Sequence, residues 1–262
     1  MKKSHIQLAT VAEFWDSRPC NLRHSREPIG SRKYFDEVES RKYFVEPHIR
    51  DFADFASWRG KSVLEVGCGI GTDAINFARA GAEYTGVELS SKSLEITRTR
   101  FQLFNLSAEL IEGSAESLEE HLRARNFDLI YSFGVLHHTP DFLRALNSIK
   151  ALCHRDTIVK VMVYAKDSWK SHMIDMGLDQ PEAQEGCPIA NTYTKDELRA
   201  AFSSVGLNIV DIRQDHIFPY VIAKYLDYEY VREPWFEAMP ESMFRELEKR
   251  LGWHMLVTAT LE

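Results

Sequence analysis

No two cysteines in this chain stand in a Cys-x-x-Cys spacing, and the four present, Cys20, Cys68, Cys153 and Cys187, lie far apart. That argues against both a cysteine zinc site and a disulfide framework, and fits a reducing cytoplasm. No metal is expected. Runs of about 18 apolar residues, the mark of a membrane span, are also missing. The opening MKKSHIQLATVAEFW alternates polar and apolar residues where a signal peptide needs a continuous apolar stretch. Positive charge is in deficit: 32 Lys and Arg against 39 Asp and Glu give a net charge of −7, which disfavours broad attraction to DNA, RNA or an anionic bilayer. The expected partner is a small-molecule or peptide-like substrate. The polar bias of disorder is absent too, since 44% of the 262 residues are hydrophobic, enough for one domain with insertions.

What is present is an alternation of strands and helices. Strands are predicted at Ser62–Val66, Glu83–Leu89, Leu110–Ile111, Phe127–Ser132, Thr157–Tyr164, Leu207–Arg213 and Trp253–Thr260. Helices are predicted at Thr72–Ala80, Ser91–Asn105, from Asp141 to about Leu152, and at Thr194–Val205 with Thr194 and Glu197 as a capping box. Near-continuous apolar strands alternating with helices predict a doubly wound, mostly parallel seven-stranded Rossmann-like sheet, α/β in class. The two late strands predict an antiparallel edge hairpin. Insertions are expected at about 165–190 and 215–250, the second largely helical with breaks at Pro234 and Pro240. Residues 1–45 form an N-terminal segment ahead of the domain at 46–262. It carries Ser31-Arg-Lys-Tyr-Phe35 and again Ser40-Arg-Lys-Tyr-Phe44, nine residues apart and therefore on opposite sides of a helix.

The chemistry starts at Val63–Asp73, VLEVGCGIGTD. A Walker loop needs Gly-Lys-Ser/Thr and a dinucleotide fingerprint needs G-x-G-x-x-G/A, whereas here Gly67, Gly69 and Gly71 follow Glu65 as E-x-G-x-G-x-G. A carboxylate just before the turn repels pyrophosphate and welcomes an ammonium group. Glu88, ending the second strand, is placed to accept hydrogen bonds from ribose hydroxyls. A nucleoside carrying a cationic amino-acid tail describes S-adenosylmethionine.

In Glu65–Gly71, Gly86-Val-Glu88, Glu112-Gly-Ser-Ala-Glu116 and the run from Phe127 to Asp141, the chain resembles the class I S-adenosylmethionine-dependent methyltransferases. The resemblance spans about residues 60–165. It implies that Gly67, Gly69 and Gly71 let the backbone approach methionine and ribose, that Glu88 holds the ribose, that Ser114 and Ala115 meet the adenine, and that Phe133 lies beside the cofactor. One departure is Cys153-His-Arg-Asp156 where members commonly carry Pro-Gly-Gly.

Methyl transfer needs positioning, water exclusion and, where the nucleophile must lose a proton, a base. The N-terminal segment is the candidate lid. Its aromatics, Trp15, Tyr34, Phe35, Tyr43 and Phe44, either shield the sulfonium or staple the segment to the core. Arg18, Arg23, His24 and Arg41 suit capture of a carboxylate or other anion, Arg41 serving either acceptor or cofactor. His137 and His138, following the fourth strand, are the candidate bases, with His137 read as the functional one and His138 as packing. Tyr43, Tyr164, His216 and Tyr220 are candidates for the substrate pocket. The expected activity is methyl transfer to an oxygen or nitrogen. The rival readings are cyclisation or aminopropyl transfer with the same cofactor, a non-catalytic module that binds it, and an NAD-dependent oxidoreductase.

Overall fold

The computed structural model describes residues 8–178 and 186–262. The first seven residues and the centre of the 165–190 insertion, Pro181 included, lie outside the described residues.

Eight strands form one sheet: β1 (Ser62–Val66), β2 (Glu83–Glu88), β3 (Glu109–Glu112), β4 (Phe127–Phe133), β5 (Cys153–Ala165), β6 (Thr192–Tyr193), β7 (Leu207–Asp215) and β8 (His254–Leu261). Their order is β3-β2-β1-β4-β5-β8-β7, with β6 beside the end of β5. Every pairing is parallel except those of β8 with β5 and β7. The expected edge hairpin is therefore present, with β8 as its inner strand. The expected count of seven becomes eight because Thr192 and Tyr193, too short a run to show periodicity, pair with Tyr164 and Ala165.

Side chains alternate across the strands, so each strand feeds two cores. Leu64, Val66 and Ile130 enter one, Val63, Leu129 and Tyr131 the other. The capping box at Thr194–Glu197 forms as predicted. The unusual Cys153–Asp156 stretch becomes a bulge: β4 advances from Phe127 to Leu129 while β5 advances from Cys153 to Ile158. The 215–250 insertion is helical only at Ile222–Leu226, Pro234–Glu237 and Glu241–Leu251, and a bridge between Tyr220 and Arg232 interrupts it.

Both copies of the pentapeptide lie on one helix, Arg32–Val45, whose N-cap is Ser31. Tyr34 and Phe35 are fully buried and pack with Val38 and Ile70. Burying such side chains contributes roughly 1.5–3 kcal/mol each, so this pair staples the segment to the domain. In the second copy, on the opposite side of the helix, Tyr43 is buried as Tyr34 is, and only Phe44, 54% exposed, differs from its counterpart.

Candidate active site

The sheet's strand order reverses between β1 and β4, and a cavity of about 980 Å³ opens at their carboxyl ends. This is where ligands bind in open α/β sheets. Val66 ends β1 with its carbonyl bonded by the Ser132 hydroxyl at 3.0 Å. The chain then turns through Gly67 at φ +81°, where an added Cβ would stand 2.3 Å from Val135 Cγ2. Glu88 grips the turn: its carboxylate accepts the Gly69 N–H at 2.7 Å and the Ser90 N–H at 2.8 Å. Each oxygen keeps further acceptor capacity on the cavity wall.

Glu65 also borders the cavity and accepts the Tyr84 hydroxyl at 2.7 Å. Burial first, then the nearby charge of Asp73, pushes its carboxyl well above the usual range. A buried carboxylate of this kind gains most from a cationic ligand, so the residues present fit the ammonium end of S-adenosylmethionine. Gly67, Ser114, Ala115 and Phe133 share the wall. Gly69 and Gly71 do not: Gly69 acts through its N–H on Glu88, and a Cβ on Gly71 would meet Thr97 Cγ2 at 2.9 Å.

Behind this cradle lies a network that sequence reasoning missed. Asp73 accepts Lys42 Nζ at 2.9 Å, the Tyr43 hydroxyl at 2.9 Å and the Tyr131 hydroxyl at 3.0 Å. Burial opposes the charge on Lys42, yet Asp73 and then Glu46 hold its pKa above the ordinary value. Tyr43, expected in the substrate pocket, is thus spent on Asp73 and stands off the cavity wall.

The far half of the cavity is cationic and aromatic. The Arg41 guanidinium lies 4.0 Å from the ring centres of both Tyr225 and Tyr228 and donates from Nη2 to the Tyr225 carbonyl. Its Nε and Nη1 are buried without a hydrogen-bond partner among the described residues. Arg18, Arg23 and His24 border the same space. His24 adds no charge there, because burial, then Arg41 and Lys42, lower its pKa to about 3. Tyr220 misses the cavity and packs outside with Phe44 and Tyr230.

The histidines divide differently from expectation. His137 is fully buried, 3.7 Å from the Tyr164 ring, with both ring nitrogens unpartnered among the described residues. It does not reach the cavity, whereas His138 and Tyr164 do. His138 donates Nδ1–H to the Ile189 carbonyl, and burial lowers its pKa to about 4. On the short helical turn at Leu136–His138 the two rings lie 4.1 Å apart, centre to centre, and only His138 borders the cavity, not His137, the one the sequence favoured. His216 also borders the cavity, as does Trp15 of the N-terminal segment, joined by Glu46, His254 and Trp253, which the sequence did not single out. His48 Nε2 lies 2.9 Å from His254 Nδ1. Glu46 and His48 stand together in Glu-Pro-His, but His254, inside an apolar strand, left no signal.

A mostly parallel sheet reversing between β1 and β4, with a glycine-rich turn after Glu65 and the Glu88 carboxylate at that point, is that of the class I S-adenosylmethionine-dependent methyltransferases. The family described as methyltransferase domain matches residues 38–212, and the chain belongs to it; the cofactor of this class is S-adenosylmethionine. A ubiquinone biosynthesis O-methyltransferase of Actinobacillus pleuropneumoniae is 35% identical over 103 residues, covering 38% of this chain and 44% of the relative. The counterpart from Aromatoleum aromaticum is 35% identical over 86 residues, 33% of this chain and 36% of that one. The match thus spans less than half the length of these curated relatives. Among solved structures, magnesium protoporphyrin IX methyltransferase from Synechocystis PCC 6803 with bound SAH superposes with a TM-score of 0.63 at 12% identity, covering 98% of this chain and 100% of that one.

Proposed function

We propose that the protein transfers the methyl group of S-adenosylmethionine to an oxygen of a small acceptor that carries an anionic group. The observation that carries this reading is one continuous cavity lined at one end by Glu65 and Glu88 and at the other by Arg41, two of whose guanidinium nitrogens have no hydrogen-bond partner among the described residues. At about 980 Å³ it stands at the top of the usual range for ligand pockets, about 300–1,000 Å³, with room for both reactants. Oxygen is favoured over nitrogen because the curated relatives are O-methyltransferases.

In this reading Glu65 holds the ammonium group, Glu88 the ribose, and Ser114 and Ala115 the adenine edge. The bound cofactor supplies an activated methyl on a sulfonium. Arg41, with Arg18 and Arg23 near the mouth, binds the acceptor's anion, and the caging tyrosines keep the guanidinium dry and fixed. His138 takes or orients the acceptor proton: with Nδ1–H given to Ile189, the neutral ring leaves Nε2 as the acceptor nitrogen. The N-terminal helix Leu8–Ser17 covers the cofactor side, since Asp16 accepts the Ser90 hydroxyl at 2.7 Å and the Lys92 N–H at 3.2 Å. The protein acts in the cytoplasm.

The test is product analysis with S-adenosylmethionine and a panel of hydroxylated carboxylates and phosphates. S-adenosylhomocysteine with a methylated oxygen supports the proposal; methylthioadenosine, or unchanged cofactor across the panel, counts against it. His138→Ala should lower turnover by about 10²–10⁴-fold while calorimetry shows S-adenosylhomocysteine affinity nearly intact.

A further inference from the structure

We propose that Glu46, His216 and His254 form a site for one divalent transition-metal ion, which holds an oxygen of the acceptor in the cavity. The ligating atoms of these three side chains all lie within 4.8 Å of one another, and Glu46 Oε1 is 3.6 Å from His254 Nε2. Ligands on one ion at about 2.0–2.2 Å sit about 3.0–3.5 Å apart, so small side-chain adjustments complete the set. All three border the cavity, which leaves the opposite coordination positions open to a substrate.

Two features of the surroundings favour a built site. The first is backbone strain. His216 adopts φ +72°, a left-handed conformation that is uncommon for a non-glycine residue and concentrates at functional positions. Hydrogen bonds hold it there: the His216 N–H donates to Asp215 Oδ1 at 2.8 Å, and its carbonyl accepts the Trp253 N–H at 2.7 Å. The second is His48, whose Nε2 occupies the Nδ1 side of His254 at 2.9 Å. Metal-bound histidines commonly engage their second ring nitrogen in this way, which fixes the ring and aims the first nitrogen at the ion. Lys42, the nearby cation, is held on Asp73.

The donor set decides the metal class. Two imidazoles and one carboxylate suit zinc, cobalt, manganese or iron(II), whereas magnesium and calcium prefer all-oxygen ligation. The site lies beside Phe133, whose ring centre is 5.4 Å from that of His254, so it adjoins the end of β4 where the cofactor cradle stops. An acceptor hydroxyl bound to the ion gives up its proton more readily, and His138 on the same cavity takes it. The oxygen then forms its bond to the methyl carbon as the carbon–sulfur bond breaks, sulfur keeping the electron pair as a neutral thioether. No oxidant or reductant is required. The catalytic role, unlike the ion binding, rests on the methyltransferase reading above.

Full-length protein stripped with a chelator and titrated with Co²⁺ tests the site directly. One equivalent should bind, with visible d–d bands of a nitrogen- and oxygen-ligated ion. His216→Ala and His254→Ala should abolish those bands, and His48→Gln should weaken binding about 10–100-fold. Calorimetry with S-adenosylhomocysteine on the same samples shows whether each variant is folded and reports separately on the cofactor reading. Absence of the bands in the parent protein, or their survival in a His216→Ala, His254→Ala double variant, overturns the proposal.

Discussion

Glu65 is a cavity-lining carboxyl whose environment departs far from what its solvent-exposed counterpart would meet. Burial, with Asp73 second, raises its pKa from 4.5 to about 8. Because the folded value is raised, the group favours the fold most below its unfolded pKa and progressively less as pH climbs through about 8. A cationic ligand stabilises the ionised form and lowers that pKa, so binding at pH 7 should release protons. Affinity should rise with pH toward about 8 and then level off. Calorimetry of S-adenosylhomocysteine binding in buffers of different protonation enthalpy measures the sign, and net proton uptake would contradict it. Arg41 yields a second expectation. Hydrogen bonds to a charged group contribute about 1.5–3 kcal/mol, so Arg41→Gln should lower kcat/KM for an anionic acceptor about 10–100-fold and leave S-adenosylhomocysteine affinity unchanged. Equal losses in both would move Arg41 to the cofactor's carboxylate. The carboxylates at 65 and 88 could be read in the sequence because each sits at a strand end beside the turn it serves. Tyr43 and His137 could not, because whether a side chain faces a cavity or the layer behind it depends on what packs there.

Among the elements, the turn after β1 shows why its glycines are unequal. Gly67→Ala combines a positive φ with a steric conflict against Val135, whereas Gly69→Ala meets nothing within 4 Å. The left-handed conformation alone costs about 1–2 kcal/mol and overpacking a further 1–3 kcal/mol. Gly67→Ala should therefore lose about 2–5 kcal/mol in urea unfolding, and Gly69→Ala about 1–2 kcal/mol. Similar losses at both would remove Val135 from the account. The N-terminal helix Leu8–Ser17 supplies the other test at this level. Its Asp16 bonds to Ser90, two residues after Glu88, so cofactor product bound at Glu88 should slow amide exchange across that helix. Exchange unaltered by S-adenosylhomocysteine would leave the segment as a fixed wall and not a lid. The capping box at Thr194–Glu197 and the alternation of strands were legible because caps and periodicity are local. The two-residue strand β6 was not, since its pairing depends on where the preceding insertion returns.

For the molecule as a whole, ligand binding to the folded state alone should raise stability by about 2.7 kcal/mol at a hundred times Kd. For a domain of this size that corresponds to about 5–10 °C in Tm. S-adenosylhomocysteine should produce that shift and NADH none; the reverse would restore the dinucleotide alternative. The net charge of −7 agrees with a small acceptor, and the exposed Arg23 and Arg26 border the cavity. From residues 62–141 alone one could obtain the fold class, the switch point and the acidic cradle, because a strand, its turn and the next helix are contiguous and each carries its own pattern. The acceptor half of the cavity needed the assembled sheet. Only the placement of β8 between β5 and β7 sets His254 opposite both Tyr164 and Asp215, and only the return of the 215–250 insertion encloses Arg41 in tyrosines. Those contacts join residues some 200 positions apart. Their register follows from burying a whole face of each strand at once, a condition that no local spacing records.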